Sequence, residues 1–280
     1  MPALTNNFSW SQSRDARFRF CRRQYYYQHY GSWGGWDRKA SAVTKELYIM
    51  KNLKTRPMWV GSVVHDFAHT IVTRLARGDT VVLDDEVARL RRRMLGDWET
   101  SRSGHYRQRP NKLLGLDDHY YDLPTTCADF RQDRRFAETC LRNLFESSPF
   151  AALTADPPAG LLEAEDIRSF DVSGVPVWLA IDLALQTPDH PVLIVDWKTG
   201  KSIDDERTRL QLAVYALYAA HAWSVPAGGL LSREINLREP VEIDHPVDAA
   251  RLDWAKQHIA DSSSQMLAAL QDPDHNVARQ

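Results

Sequence analysis

The feature that most constrains the fold is a short apolar run that ends in alternating polar residues. Residues 191–201 read PVLIVDWKTGK, and four consecutive aliphatic residues next to a turn signal are typical of a buried β-strand. Side chains alternate between the two faces of a strand, so Asp196 and Lys198 are predicted to lie on the same face at its polar end. The sequence therefore predicts a sheet that presents a carboxylate and an ammonium group together.

The hydrophobic periodicity of the chain changes at the turn sequence DPPAG, residues 156–160. Before it, apolar residues recur at helical spacing, and helices are predicted over 61–78, 84–103 and 127–147. After it, the predicted order is strands in LLEAEDIRSF, VPVWLAIDLALQ and PVLIVDWKTG, a helix over 204–223, a strand in AGGLLSREI, and a helix over 248–270. We therefore expect an α/β protein in which a mixed central sheet is flanked by helices.

The composition is that of a globular protein, which excludes disorder and fibres. We expect a single domain over residues 1–280, with a mainly helical, basic portion over 1–155, an α/β core over 156–240, and a C-terminal helix and tail over 241–280. The formal charge of −2 conceals a division, because residues 1–115 carry 21 basic and 10 acidic side chains whereas residues 116–280 carry 14 and 27. The front of the chain is basic, which suits an anionic partner.

Three cysteines, Cys21, Cys127 and Cys140, match neither a disulfide framework nor a zinc ribbon. The N-terminus lacks an apolar core of signal-peptide length, and no run approaches the roughly 20 apolar residues that span a bilayer. We therefore expect a soluble cytoplasmic protein that does not associate with a membrane.

Arginines and aromatic residues alternate over residues 8–36. Such a mixture suits a nucleic-acid strand, since arginine binds phosphate and aromatic rings stack on bases. The alternative is a helix whose aromatic residues pack inward while its arginines face solvent. For the first interpretation the candidate contacts are Arg14, Arg22 and Tyr25.

Asp182 lies within the otherwise apolar sequence WLAIDLAL, on the predicted strand before Asp196. A lone carboxylate would cost several kcal/mol to bury unless a cation lies beside it. Two carboxylates at adjacent strand ends suit Mg²⁺ or Mn²⁺, which take oxygen ligands and are often shared with substrate phosphates. Lys198 beside them suits phosphodiester hydrolysis, because it can orient the attacking water and offset charge on the phosphate. The alternative is a surface ion pair between Asp196 and Lys198.

At these positions the chain resembles the PD-(D/E)XK nuclease superfamily, and within it the RecB-type exonuclease branch. The motifs that carry the resemblance are, in order, Phe18-x-x-Cys21-x-x-x-Tyr25, Gly61-x-x-x-His65, Glu163 or Glu165, Ala180-Ile181-Asp182, Asp196-Trp197-Lys198-Thr199-Gly200 and Gln211-x-x-x-Tyr215. Together they cover residues 60–66 and 160–216 and the opening stretch, and their joint order is more specific than any single motif. Ala180 stands where the branch usually has glycine.

The resemblance implies a restriction-endonuclease-like core and a role for each matching residue. His65, Asp182, Asp196 and the backbone carbonyl of Trp197 would hold Mg²⁺ or Mn²⁺, and Lys198 would be the catalytic lysine. Gln211 and Tyr215 would contact the substrate, and their i, i+4 spacing puts them on one helical face. Glu163 and Glu165 both remain candidates for the catalytic glutamate, with Glu165 favoured.

The same resemblance implies an exonuclease that acts on single-stranded DNA or duplex ends. No iron–sulfur cluster is expected, because no cysteine follows Cys140. Helicase motifs are missing, so a helicase or another regulatory subunit would be a separate chain. We expect the basic N-terminal portion to form a wall of the active-site groove, which would make DNA binding fall steeply with salt.

Two other functions compete with this one. His65-Asp66-x-x-His69 has the spacing of zinc-protease ligands, but aspartate replaces the usual glutamate and no third ligand is identifiable. A catalytically silent domain of the same fold could instead bind nucleic acid or a protein partner. The joint presence of His65, both aspartates and Lys198 favours catalysis, because a silent site has no physical need for clustered charge.

Overall fold

The computed structural model of the chain describes residues 5–201, 205–272 and 277–278, with residues 271, 272, 277 and 278 described by their backbone alone. Asp204, at the start of one predicted helix, and part of the predicted C-terminal tail lie outside the described residues. The chain divides into two compact units, the first comprising residues 1–53, 167–179 and 253–280, and the second 54–166 and 180–252.

Helices form most of the described chain before residue 155. The α-helices are α1 (Gln12–Phe20), α2 (Arg22–Tyr26), α3 (Ala42–Asn52), α4 (Arg56–Ala76), α5 (Leu83–Arg102), α6 (Asp117–Tyr120), α7 (Cys127–Phe145), α8 (Ser148–Thr154), α9 (Glu206–Ala222) and α10 (Ala249–Ala268). A π-helical turn (Tyr27–Gly31) follows α2, and 3₁₀ turns occupy His105–Gln108 and Ala227–Gly229.

The first strand begins at Gly160. The strands are β1 (Gly160–Glu163), β2 (Ile167–Val172), β3 (Val175–Ala180), β4 (Leu183–Gln186), β5 (Val192–Lys198), β6 (Leu230–Asn236), β7 (Val241–Pro246), β8 (Leu270–Asp272) and β9 (Val277–Ala278).

The second unit is built on a five-stranded mixed sheet with the order β1-β4-β5-β6-β7. Neighbouring strands are antiparallel except β5 and β6, which are parallel and joined through helix α9. Alternate residues of β5, including Val195 and Trp197, pack into a core with α4, α5 and α7. Asp196 and Lys198 point to the other face, where the Lys198 side chain reaches Gln211 of α9. The predicted α/β fold with a mixed sheet flanked by helices is confirmed.

Helix α4 begins at Arg56, one turn before the predicted start at Gly61. The Thr55 side chain accepts a hydrogen bond from the backbone N–H of Met58, and Pro57 occupies the first turn, where its missing N–H costs nothing. These capping residues were the available signal for the true start. The apolar face of α4, with Val64, Ala68 and Ile71 among its residues, is buried in the core.

Two of the predicted strands are each divided by a bend. LLEAEDIRSF forms β1 and β2, and VPVWLAIDLALQ forms β3 and β4. The bends fall at Glu165, whose φ of +49° is left-handed, and at Ile181–Asp182. Strands β1 and β4 join the five-stranded sheet, whereas β2 and β3 form a separate two-stranded sheet. The strand β7, which the sequence did not predict, pairs with β6.

The first unit joins α1, α2 and α3 to most of α10 and to the hairpin of β2 and β3. Trp10 bridges to this hairpin, since its N–H donates to the Pro176 carbonyl and its own carbonyl accepts from Trp178 N, both at 2.8 Å. The indole N–H of Trp10 donates to Ser262 Oγ of α10 at 3.1 Å. The N-terminal segment is therefore fixed to elements from later in the chain.

The prediction of one domain over residues 1–280 stays a prediction. Within the described part of the chain, none of the helices combines the length and the apolar composition needed to cross a bilayer.

Candidate active site

The two bends of the strands bring three polar side chains together in the second unit. Nδ1 of His65 on α4 lies 3.5 Å from Oε1 of Glu165 and 3.5 Å from Oδ1 of Asp182. One ligand atom from each of the three residues lies within 4.8 Å of the others. A helix and two strand bends that are far apart in sequence therefore form one compact set of potential metal ligands.

Asp196 of β5 is the most deeply buried carboxylate of the site, at 1% exposure. Its Oδ2 lies 2.7 Å from Nζ of Lys198, two residues along the same strand face. Burial raises the pKa of Asp196 to about 7, helped by the negative charge of Asp182 and opposed by Lys198. The carboxylate thus lies between an ammonium group that stabilises its charge and an acid that opposes it.

Asp182 is fixed to the same strand through the backbone. Its Oδ2 accepts a 2.8 Å hydrogen bond from the backbone N–H of Trp197, while Oδ1 is the oxygen that faces His65. The bond connects Asp182 to β5 while the other carboxylate oxygen faces His65 on α4, and the charge of Asp182 acts on Asp196. Trp197 itself packs its indole into the core at 1% exposure.

Lys198 begins a chain of hydrogen bonds that runs onto helix α9. Its Nζ donates to Oε1 of Gln211 at 2.9 Å, and Nε2 of Gln211 donates to the hydroxyl oxygen of Tyr215 at 2.7 Å. Burial raises the pKa of Tyr215 well above its usual value, and the charges of Asp182 and Asp196 raise it further. Tyr215 therefore keeps its proton at neutral pH and can act as a hydrogen-bond donor.

Helix α4 approaches the end of β5 closely at Gly61. A Cβ at this position would lie 3.1 Å from Oγ1 of Thr199, which is closer than side chains normally pack. Glycine in a helix interior costs about 1 kcal/mol relative to alanine, so its presence one turn before His65 accords with a close approach. The sequence analysis assigned no role to Thr199. The glycine within helix α4 was the signal that could have indicated this close approach.

The charges of the site favour a cation. Burial opposes a charged His65, but the neighbouring carboxylates of Asp182 and Glu165 raise its pKa well above the usual value. Oε1 of Glu165 is buried and forms no hydrogen bond with any described residue. Two carboxylates and one imidazole are a donor set that suits Mn²⁺ and Mg²⁺. The residues present therefore fit a divalent metal ion.

The structure also separates residues that the sequence had left as alternatives. Glu163 is buried at the end of β1, where its Oε2 accepts a hydrogen bond from the Tyr218 hydroxyl at 3.1 Å. Glu165 instead faces His65, because the left-handed bend interrupts the strand alternation that was expected to put both glutamates on one face. Among the described residues, the three-residue ligand set contains neither Asp196 nor His69.

The predicted substrate contacts of the N-terminal segment have different environments. Arg14 is 6% exposed, and its guanidinium donates to the hydroxyl groups of Tyr25 and Tyr30. Arg14 also lies over the rings of both tyrosines, and Tyr25 is itself 3% exposed. Tyr25 therefore packs inward, as in the alternative interpretation of the segment, whereas the burial of Arg14 fits neither interpretation, since both left its guanidinium accessible. Arg22 is exposed.

Comparison with known proteins indicates which family the chain belongs to. A family model described as the PD-(D/E)XK nuclease superfamily matches residues 9–279. No curated protein is similar enough to count as a relative. A solved structure described as "Crystal structure of SSO0001" is similar at 15% identity over 50% of this chain and 61% of that chain, with a TM-score of 0.29. The likeness to that structure is too weak to carry an argument. The match of the family model spans nearly the whole chain, and the protein belongs to the PD-(D/E)XK nuclease superfamily.

Proposed function

We propose that the protein is a metal-dependent DNA exonuclease of the RecB-type branch, acting on single strands or duplex ends. The observation that carries the proposal is the convergence of His65, Glu165 and Asp182 beside the pair of Asp196 and Lys198. The family supports a metal-dependent nuclease in general. The branch, the DNA substrate and the preference for ends rest on the motif resemblance.

In the proposed site, His65, Glu165 and Asp182 hold Mg²⁺ or Mn²⁺, and the resemblance adds Asp196 and the Trp197 carbonyl to the ligands. When bound, the cation supplies Lewis-acid stabilisation of the charge that develops on the phosphate. The hydrogen bond from Trp197 N to Asp182 supports this assignment, because it fixes one carboxylate oxygen and leaves the other facing His65.

Lys198 is proposed as the catalytic lysine. An ammonium group has three N–H donors, and those of Lys198 are directed by Asp196 at 2.7 Å and Gln211 at 2.9 Å. The third N–H donor is available to the attacking water or to a phosphate oxygen. Its charge offsets the negative charge of the transition state without a reorganisation step, since both partners already hold it in place.

Gln211 and Tyr215 are proposed to orient the substrate strand. The hydrogen bond between them aligns both side chains on one face of α9. Because Tyr215 stays protonated, its hydroxyl offers a donor beside two carboxylates that would otherwise repel a phosphate. A helicase or another regulatory subunit remains the protein partner proposed from the resemblance.

The test is a gel assay of the full chain on linear duplex, circular duplex and single-stranded DNA, with Mg²⁺, Mn²⁺ or EDTA. We expect loss of linear and single-stranded DNA with either metal, protection of the closed circle, and no cleavage in EDTA. Lys198→Ala should abolish cleavage, and Lys201→Ala, which removes an exposed lysine three residues away, should not. Cleavage that survives Asp196→Ala in a clean preparation would exclude the assignment.

A further inference from the structure

The first unit contains a cavity of about 1010 Å³ that the proposed catalytic site does not use. Its walls come from α1, α2 and the π-helical turn that follows, from α3, and from the last turn of α10. Ligand pockets in proteins are commonly about 300–1,000 Å³, so this cavity is large enough for a ligand of more than one ring. The described residues that line it include no acidic side chain.

Two exposed arginines give the cavity a positive charge. The guanidinium of Arg22 lies over the Phe18 ring at 5.2 Å, and that of Arg23 lies over the Tyr27 ring at 5.9 Å. Within the part of the chain that the structure describes, neither arginine forms an ion pair with a carboxylate. Stacking on a ring positions the Arg22 guanidinium while leaving N–H donors in its plane for an anion. The Arg23 guanidinium is positioned by a hydrogen bond to the Tyr27 side chain as well, and a guanidinium has five N–H donors, so others remain for an anion. The cavity is therefore built to attract a negatively charged group.

Aromatic rings supply the second part of the recognition. Tyr26 stacks on Tyr30 with an interplanar angle of 18°, and the neighbouring Tyr27 ring meets Tyr26 edge-on and is 39% exposed. Buried Tyr25 also lines the cavity and is hydrogen-bonded to Arg14. A fixed set of rings beside arginines offers flat faces and cations at once, which is how single-stranded nucleic acid is held without sequence preference.

We propose that this cavity binds the unstacked bases of a single-stranded nucleic-acid segment, with Arg22 and Arg23 on its phosphates and Tyr26 and Tyr27 against its bases. The inference rests on the proposed function, since it names the form of nucleic acid that the nuclease holds. A duplex would not fit this chemistry, because its base faces are buried in the stack. A purely apolar partner segment would leave the two cations without a counter-charge.

The test measures binding of a fluorescent oligothymidylate of about 12 nucleotides, a length within the usual site size of single-strand-binding folds, to the full chain in EDTA. We expect the double variant Arg22→Ala/Arg23→Ala to weaken binding about fivefold or more. The slope of log affinity against log salt should fall by about 0.7 for each phosphate that the variant no longer neutralises. Tyr27→Ala should weaken binding by a similar factor, because stacking on one base is worth at least about fivefold.

Arg38→Ala and Phe20→Ala are the matched controls, because both remove exposed side chains of the same unit that do not line the cavity. Both should bind like the wild type, and thermal unfolding should show that all variants are folded. The proposal is overturned if the double variant matches Arg38→Ala, or if duplex binds as tightly as the single strand. It is also overturned if thymidine monophosphate competes as well per molecule as the strand, which would identify a pocket for a free nucleotide.

The experiments distinguish a wrong cavity proposal from a wrong nuclease proposal. If the cavity proposal is correct, the double variant raises KM for single-stranded DNA while kcat at saturation is retained. A wild-type chain that binds the strand in EDTA but cuts nothing with Mg²⁺ or Mn²⁺ would exclude the nuclease and leave the cavity assignment in place.

Discussion

The backbone N–H of Glu165 donates a 2.7 Å hydrogen bond to the carbonyl oxygen of Ile181. This bond joins the two bends at which the predicted long strands divide, and it brings Glu165 beside Asp182. Glu165 adopts a φ of +49°, which is unfavourable for a residue with a side chain. Glutamate is present here although its backbone conformation is unfavourable, so we infer that its carboxylate has a function at the candidate metal site.

Replacing Glu165 by glycine should therefore increase the stability of the metal-free protein and weaken metal binding. Glu165→Gly relieves the positive φ and should raise the free energy of unfolding by up to about 1 kcal/mol, whereas Glu165→Gln keeps the shape and removes the charge. Wild-type protein should gain about 2.7 kcal/mol of stability at a metal concentration about 100 times Kd. Thermal unfolding in Mn²⁺ and in EDTA should show little of this gain in either variant. A wild-type metal response in Glu165→Gln would contradict the assignment of Glu165 as a ligand.

Lys198→Met keeps the length of the side chain and removes its charge. Because Lys198 lowers the pKa of Asp196, its loss should raise that pKa further and weaken the charge of the carboxylate. We expect the single-turnover rate of DNA cleavage to fall about 10²-fold or more, with binding of single-stranded DNA in EDTA retained. Lys201→Met is the control for nonspecific loss of charge. Equal rates for the two variants would remove Lys198 from the mechanism.

Local patterns in the sequence were sufficient where a side chain's direction follows from strand or helix geometry. The alternation in β5 puts Asp196 beside Lys198, and the i, i+4 spacing in α9 puts Gln211 beside Tyr215. Both relationships depend only on backbone periodicity. The superfamily and the mixed sheet were also predicted from the sequence, and both are confirmed.

Relationships that depend on tertiary contacts were not predictable in this way. Strand alternation gives no sign of the bend at Glu165, where the backbone N–H of Glu165 donates a hydrogen bond to the Ile181 carbonyl in the neighbouring bend. The burial of Arg14 was also not predictable from the sequence, since arginine is rarely buried unless its donors are satisfied. Here the hydroxyl groups of two tyrosines accept hydrogen bonds from its guanidinium. The strand β7 was missed because its side chains are mostly exposed and give little hydrophobic signal.

Gly61 should matter for the position of α4 against the end of β5. Gly61→Ala gains helix propensity of about 1 kcal/mol but crowds Oγ1 of Thr199 at 3.1 Å, so little net change in stability is expected. Combining it with Thr199→Ala should release the gain, giving a coupling energy of about 0.5 kcal/mol or more in a double-mutant cycle of unfolding free energies.

Gly96→Ala is the control for helix propensity, because Gly96 lies in α5 and a Cβ there meets no atom within 4 Å. It should stabilise the protein by about 1 kcal/mol with no effect on cleavage. The larger Gly61→Val should reduce the cleavage rate of the folded protein, beyond any loss that unfolding of the variant explains. Additive effects of Gly61→Ala and Thr199→Ala would show that the two side chains do not crowd each other.

Asp15 should make the stability of the first unit depend on pH. It is 3% exposed, and its carboxylate accepts hydrogen bonds from Ser262 at 2.5 Å, from Arg19 at 2.8 Å and, with the imidazole protonated at Nε2, from His258 at 3.0 Å. Burial acts to raise the pKa of Asp15, but these hydrogen bonds together lower it below its usual value of 3.8. The network connects α1 to α10, so its loss should destabilise the unit.

Because the pKa of Asp15 is lower in the folded protein, the resulting stabilisation is complete above pH 3.8 and is lost as the pH falls through the folded-state pKa. Asp15→Asn should reduce the free energy of unfolding by about 2 kcal/mol at neutral pH, because a buried carboxylate that accepts three hydrogen bonds is replaced by a neutral amide. The difference in Tm between variant and wild type should shrink below pH 3.8. Asp85→Asn, which removes an exposed carboxylate on α5, is the control and should leave Tm nearly unchanged. A constant difference in Tm between Asp15→Asn and wild type down to the acid unfolding transition would show that the charge of Asp15 does not stabilise the fold.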